Sequence, residues 1–535
     1  MLKIVDLPLG FSDAENYKRR ENKELLTRLF VKTESLDQIC KPSTTFLIGE
    51  KGTGKTAYAI YMGNTAYRDN HAALRYIRET EYQKFVALKR EHHLDLSDYT
   101  NIWKVIVCLL LAQQIRENES RLNVISRYGR FKQLEAAIDE YYLHAFSPEI
   151  IYALQFIEKS KIAAELLAKY AKIGGELSDE VSFSESRFQT NLLYIQRQFE
   201  SALRSLRLAR NHLLFIDGID IRPAAVPFDE YLQCIKGLAN AVWSLNNDFF
   251  ASIKDSPGRI RAVLLIRPDI FVKLGLQNQN TKIRDNSVLL DWRTTYKSHR
   301  SSRLFEVANQ LLSVGQPELL APGKTWDHYF PFDSPNVIER FDAPSSFVGF
   351  LRLSLSRPRD FVTMLHILKE NVSEFGPQEK KQFSFADADS SAFRDKIADY
   401  LLGEVKDHLL FYYSNDEYET FLKFFEFLHG RTKFTFEEYE AAFIETIQHL
   451  KDRRVDVPSF MGSAASFLQF LYDLNIICFV EEAEDGSSFF RWCFRERTYS
   501  NIAPKIKVGE RYEIHYGMAR ALNIGKKLRP RKRSN

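Results

Sequence analysis

Cysteine is scarce in this chain, and long hydrophobic runs are missing. Among 535 residues the five cysteines, Cys40, Cys108, Cys234, Cys478 and Cys493, lie far apart. None forms a C-x-x-C pair or a metal-ligand spacing, which excludes a disulfide scaffold and a thiolate metal centre and leaves buried thiols of a reducing compartment. The longest apolar run, Val105 to Ala112, falls far short of the roughly 20 residues a membrane helix needs. Met1 to Asp6 has no signal-peptide core. The expectation is a cytoplasmic protein without a membrane contact. An excess of one charge is also missing, with Lys+Arg 74 against Asp+Glu 70, so bulk charge does not select nucleic acid as a partner. Nor is any nuclease, protease or NADase signature present. Killing or signalling chemistry, if it accompanies this chain, belongs to a partner effector protein.

What the chain does have is an ordinary globular balance, 45% hydrophobic and 27% charged, at a length that predicts two to four domains. Its most informative stretch runs Thr45-Phe46-Leu47-Ile48-Gly49-Glu50-Lys51-Gly52-Thr53-Gly54-Lys55-Thr56-Ala57. A strand-like apolar run enters a glycine-rich turn and a helix-compatible run leaves it, which is the context that gives G-x-x-x-x-G-K-[ST] its meaning. Glycines let successive N–H groups turn inward, and a helix beginning there aims free donors and its positive dipole end at an anion. Gly49 to Ala57 therefore form a candidate phosphate cradle. Lys55 is expected on the β/γ-phosphates and the Thr56 hydroxyl on Mg²⁺.

Downstream, His212-Leu213-Leu214-Phe215-Ile216-Asp217-Gly218-Ile219-Asp220 reads as a buried parallel strand with a carboxylate at its carboxyl end, where ligands of open α/β sheets sit. Asp217 is expected to hold the Mg²⁺ shell through water. Asp220 is expected to orient or deprotonate the attacking water. The alternative is an ordinary turn with two exposed acids. Ile260 to Ile266 is a further buried strand, ending in Arg267-Pro268. At a strand terminus Arg267 would point at a γ-phosphate, unless it is a surface arginine before a proline turn. Phe85 to Leu88 and Ser287 to Trp292 are read as the remaining strands. Helical spacing predicts helices over Glu21 to Lys32, Asn101 to Ile115, Ile162 to Ile173, Ser186 to Arg210, Phe228 to Leu245 and Ser301 to Leu312.

GEKGTGKT, LLFIDGID and LLIRP together resemble the additional-strand P-loop ATPases, the group that holds AAA+ and STAND proteins. Asp217-Gly218-Ile219-Asp220 is similar to the NACHT- and KAP-like branch, in which a small residue follows the magnesium aspartate. Arg267 matches that branch's basic sensor. Leu353 to Phe361, with Arg357-Pro358-Arg359-Asp360, resembles the lid turn, and either arginine is a candidate phosphate contact or the partner of Asp360 in a salt bridge. Gly10 to Glu15 and Tyr512 to His515 resemble stretches of bacterial FunZ-like ATP-binding proteins. The resemblance implies ATP, Mg²⁺, a parallel sheet in 5-1-4-3-2 order, homo-oligomers, and a setting in phage defence or on a mobile element. Arg300 and Arg303 are candidate trans-acting fingers.

The expected architecture is an α/β P-loop NTPase core with a helical insertion, a helical lid and a carboxyl-terminal winged-helix-like α+β domain. Its parts are an amino-terminal helical segment 1–40, a core 41–295 with insertion 117–210, a lid 296–375, a linker or helix 376–415, a winged-helix-like domain 416–520 and a basic tail 521–535. Glu370 to Ser390 reads as polar linker. Helices at Tyr418 to Leu428, Glu437 to Leu450 and Ser459 to Leu474 precede strands at Ile476 to Glu481 and Phe489 to Phe494. Such modules enter DNA or pack on protein, and Ser459 to Leu474 has no Lys or Arg to meet phosphate. In the tail, Lys526, Lys527, Arg529, Arg531, Lys532 and Arg533 form a run that binds DNA electrostatically or stays solvated. The sequence thus predicts an ATP-hydrolysing molecular switch, with an ATP-dependent DNA-binding or remodelling protein as the alternative.

Overall fold

Strands buried on both faces are built around near-continuous apolar runs, and three stretches of this chain carry one. In the computed structural model they are β1 (Phe46–Ile48), β3 (Asn211–Asp217) and β4 (Ile260–Ile266), with β1 and β4 buried throughout. The structure describes residues 1–77, 96–119, 193, 196–197, 199–222, 226–335, 342–484, 486 and 488–525. Two compact units divide the chain, one formed by 33–290 and the other by 1–32 with 291–535.

In the first unit, β2 (Asn70–Tyr76) and β5 (Ser287–Leu289) complete a five-stranded sheet in the order β2-β3-β4-β1-β5. All four pairings are parallel. Read from the other edge, the order is the expected 5-1-4-3-2. One strand differs from the sequence reading. The neighbour of β3 is Asn70–Tyr76, whereas the expected Phe85 to Leu88 lies outside the described residues, as do the expected helix Ile162 to Ile173 and most of the insertion 117–210. Ser287 to Trp292 is strand only as far as Leu289.

Around the sheet, α1 (Lys55–Thr65) follows the glycine turn, and α2 (Leu96–Glu119) and α3 (Phe228–Ser244) pack on each other. Gly237 permits that approach, because a Cβ there would stand 2.6 Å from the Tyr99 Cβ. Trp103 Nε1 donates to the Cys234 carbonyl at 3.2 Å, and Gln114 Nε2 donates to the His71 and Leu213 carbonyls at 2.7 and 3.2 Å. These side-chain bonds tie α2 to α3 and to the sheet while satisfying groups that water cannot reach.

The second unit is mainly helical. It contains α4 (Arg303–Ser313), α5 (Ser346–Leu353), α6 (Pro358–Phe375) and α7 (Ser391–Tyr412). Aromatic residues form its core: Trp326 contacts Phe305, Phe330, Phe347 and Phe350, and its indole N–H donates to Ser346 Oγ at 3.0 Å. The linker expected over Glu370 to Ser390 is a correction. α6 continues to Phe375, and a capping box at Ser384 starts the turn Phe385–Asp389. Glu370 and Glu374 are on the solvent face of a helix whose Leu368 and Val372 are buried, while 376–384 is the non-helical connection that was expected.

Next come α8 (Asn415–Phe427), β6 (Lys433–Phe434), α9 (Phe436–Asp452) and α10 (Ala464–Asp473). They precede β7 (Ile477–Glu482), β8 (Ser488–Arg491) and β9 (Arg511–Ile514), and the four strands form an antiparallel sheet in the order β6-β9-β7-β8. Capping boxes at Ser414, Thr435 and Ser463 set the helix starts. The last of them corrects the expected single helix Ser459 to Leu474. Ser459–Met461 is a separate 3₁₀ turn, because Ser463 caps a fresh start. The strand expected to reach Phe494 ends at Arg491, where Cys493–Glu496 turns helical and Asn475 Oδ1 accepts the Phe494 N–H at 2.9 Å.

Candidate functional site

The glycine turn between β1 and α1 is shaped by three positions that tolerate no ordinary side chain. Gly52 and Gly54 take φ of +87° and +94°, which other residues adopt only under strain. A Cβ on Gly49 would meet Thr53 Oγ1 at 2.4 Å. Thr53 closes the turn by donating its hydroxyl to the Glu50 carbonyl at 2.8 Å. Lys55, the first residue of α1, is buried and folds back over the loop, where its Nζ donates to the carbonyls of Gly49 and Glu50 at 2.8 and 3.1 Å. These bonds place the ammonium inside the curl of the turn, where an anion held by the turn's N–H groups would meet it.

Beside it stands the end of β3. Thr56 Oγ1 donates to Asp217 Oδ2 at 2.6 Å, and the Gly218 N–H donates to Asp217 Oδ1 at 2.8 Å. The sheet order leads to this meeting, because β4 alone separates β3 from β1, so the loops leaving their carboxyl ends adjoin. Burial raises the Asp217 carboxyl above the ordinary range and the neighbouring Asp220 charge adds to this, opposed by Thr56, Lys55 and the Gly218 N–H. Gly218 sits at φ +87°, and a Cβ there would come 2.7 Å from the Ile77 carbonyl. No larger residue fits directly after the aspartate, and the next acid, Asp220, follows three positions on.

One positioning residue escaped the sequence reading. Tyr231, buried on α3, donates its hydroxyl to the carbonyls of Ile219 and Ile221 at 2.8 and 3.1 Å and so clamps the turn that carries Asp220. Its place on an apolar stripe had marked it only as core.

Arg267 caps β4 at the same end of the sheet. Its guanidinium is engaged by Asp269, Nε to Oδ1 at 3.0 Å and Nη2 to Oδ2 at 2.5 Å, with the pair largely buried. Asp269 was not anticipated; it enters the pair because Pro268 starts a helix that brings position 269 back toward the strand end.

The remaining sequence candidates lie in the other unit. Arg357 makes the salt bridge that was its alternative: Nη2 reaches Asp360 Oδ1 at 2.7 Å and Nη1 reaches Glu404 Oε2 at 3.4 Å, while Tyr400 Oη donates to Asp360 at 2.9 Å. Arg359 donates to the Ser12 carbonyl at 3.2 Å. Arg300 grips Asp327 with both terminal nitrogens at 2.7 and 2.8 Å, and Arg303 pairs with Glu306 at 2.8 Å. The stretches Gly10 to Glu15 and Tyr512 to His515 meet this segment, for Arg359 bonds the Ser12 carbonyl at 3.2 Å, His366 Nε2 on α6 bonds the Gly10 carbonyl at 2.9 Å and His515 Nε2 the Ser354 carbonyl at 3.2 Å.

In α10, Gln469 Nε2 donates to the Pro504 carbonyl at 3.1 Å and its Oε1 accepts the Ile506 N–H at 3.0 Å. The basic tail Lys526 to Arg533 lies outside the described residues. No helix among the described residues is long and apolar enough to cross a membrane.

Compared with known proteins, the chain matches no family model and no curated protein.

Proposed function

We propose that this chain binds Mg²⁺–ATP at the glycine turn and hydrolyses it as a molecular switch of the additional-strand P-loop type. The observation that carries the reading is the 2.6 Å bond between Thr56 Oγ1 and Asp217 Oδ2 beside a lysine that heads a helix. A hydroxyl and a carboxylate are the hard oxygen donors Mg²⁺ takes from protein, the rest of its octahedron being water and phosphate. The residues therefore fit the group. When bound, the ion would neutralise charge on the β- and γ-phosphates.

The chain's own groups supply the remaining roles. The turn's N–H groups and the α1 amino terminus bind the phosphates, and Lys55 exchanges its two carbonyl partners for phosphate oxygens. Asp220, held by the Tyr231 clamp on its turn, takes the proton of the attacking water. Arg267 reaches the reacting centre only by leaving Asp269, which makes that ion pair the candidate element coupling nucleotide state to conformation. We place the protein among self-associating ATPases that act with a separate effector, and assign the α8–β9 module a protein-packing role, because α10 (Ala464–Asp473) offers no cation to meet phosphate.

The test is phosphate release under saturating Mg²⁺–ATP. Asp220→Ala should keep nucleotide affinity while turnover drops about 10²- to 10⁴-fold; turnover at the unsubstituted rate would remove Asp220 from the reaction.

A further inference from the structure

We propose that the amino-terminal end of the parallel sheet, opposite the glycine turn, carries a second binding site, made for a small organic anion with an apolar body. The proposal does not depend on the nucleotide reading. Because β2, β3 and β4 run parallel, their first residues lie together at the end away from Asp217. A cavity of about 350 Å³ opens there, within the size range of small-molecule pockets.

Its composition is asymmetric. Leu203, Leu206, Leu208, Phe250 and Ile253 supply apolar walls, while Lys254 and Arg259 stand at the rim. Neither cation has an ion-pair partner among the described residues, and no Asp or Glu is among the described residues lining the cavity. Arg261, deeper in, is spent on the backbone: its Nη2 donates to the Ile39 carbonyl at 2.8 Å and its Nη1 to the Thr44 carbonyl at 3.2 Å. Its charge still adds to a positive field that nothing in the lining cancels. An inorganic anion would leave the apolar walls against water, and a neutral apolar ligand would leave the two rim cations unused. An aromatic or acyl carboxylate, sulfonate or phosphate monoester satisfies both.

The walls are also fixed in place rather than being a fold of loose surface. The Leu208 N–H donates to Ser256 Oγ at 2.9 Å, the Gly258 N–H to the Leu208 carbonyl at 2.7 Å, and the Arg259 N–H to Asn211 Oδ1 at 3.0 Å. Gly258 is required for this seam, since a Cβ would lie 2.1 Å from the Arg210 carbonyl. On the other side, α3 ends in a π-helical turn, Leu245–Phe249, a feature concentrated at functional sites. Asn246 in that turn is locked to Ala262, donating to its carbonyl at 2.7 Å and accepting its N–H at 3.0 Å. That lock holds the following residues, Phe250 and Ala251, at the cavity wall.

The full-length chain should be titrated with anilinonaphthalene sulfonate and, separately, with uncharged phenylnaphthylamine, reading fluorescence. The expected result is one saturable site for the sulfonate, weakened about tenfold in Lys254→Glu/Arg259→Glu, with a smaller change for the neutral probe. Leu206→Trp, which fills the cavity, should abolish it; if circular dichroism shows that variant unfolded, Ala251→Trp at the exposed rim replaces it. Lys55→Ala should leave the titration unchanged. Absence of saturable binding, equal affinity in the charge-reversed protein, or loss in Lys55→Ala would each overturn the proposal.

Discussion

Two buried titratable residues carry opposite consequences for stability. Asp217 holds its proton to a higher pH in the fold than in the unfolded chain, because burial and then Asp220 disfavour its charge. At neutral pH the charged form therefore costs stability that a neutral amide would not. Asp217→Asn should raise the unfolding temperature of the nucleotide-free protein while removing any Mg²⁺-dependent gain in nucleotide affinity. A lower melting temperature would contradict the burial argument. His515 runs the other way: burial pushes its pKa down to about 4, and the ring sits neutral, with Nε2 on the Ser354 carbonyl at 3.2 Å and Nδ1 accepting the Gly517 N–H at 3.2 Å. The unfolded chain takes up that proton near the ordinary histidine value of about 6.5. Stability is thus lost as pH falls from about 6.5 toward about 4. Denaturant titrations of the parent and His515→Gln across that window should diverge, the variant showing the shallower slope; parallel curves would refute the assignment.

At the scale of elements, the turn after β3 is positioned by α3 rather than by its own sequence. Tyr231→Phe removes one hydroxyl and leaves the Ile219 and Ile221 carbonyls short of a donor, a loss of about 1–3 kcal/mol. Expressed as misplacement of Asp220, it should lower kcat several-fold with little change in KM, and a selective rise in KM would count against a positioning role.

The same elements show how far the sequence could be read. β1, β3 and β4 were legible because each carries the near-continuous apolar run that burial on both faces requires. β2 was not, since His71, Ala72, Ala73 and Arg75 mix small and polar residues, and its half-exposed side chains impose no such pattern. β9 registered only as a familiar stretch, because its place between β6 and β7 comes from pairings distant in the chain. At the candidate site, Thr56 and Asp217 were legible from motif and strand end. Asp269 and Tyr231 were not, for their roles depend on where a helix brings a side chain, which local spacing does not encode.

For the whole molecule, sheet order is the fact that matters most. With β1 inserted between β4 and β5, the glycine turn, the acid at the end of β3 and Arg267 at the end of β4 share the carboxyl-terminal end of the strands. The apolar cavity, whose rim cations Lys254 and Arg259 have no ion-pair partner among the described residues, lies at the opposite, amino-terminal end of the strands. One parallel sheet thus has two chemically distinct ends, to which we assign a polyphosphate with a divalent ion at the carboxyl end and, by proposal, a smaller organic anion at the amino end.

The central claim is that a nucleoside triphosphate and a divalent ion bind where Lys55, Thr56 and Asp217 converge. Calorimetric titration of the full-length chain with ATP, with and without Mg²⁺, tests it most directly. The account predicts one site per chain, tighter with Mg²⁺, and weakened roughly 30- to 1000-fold by Lys55→Ala, as expected for removing the charged partner of a buried phosphate. No heat of binding in the unsubstituted protein, or the same affinity in Lys55→Ala, would contradict it.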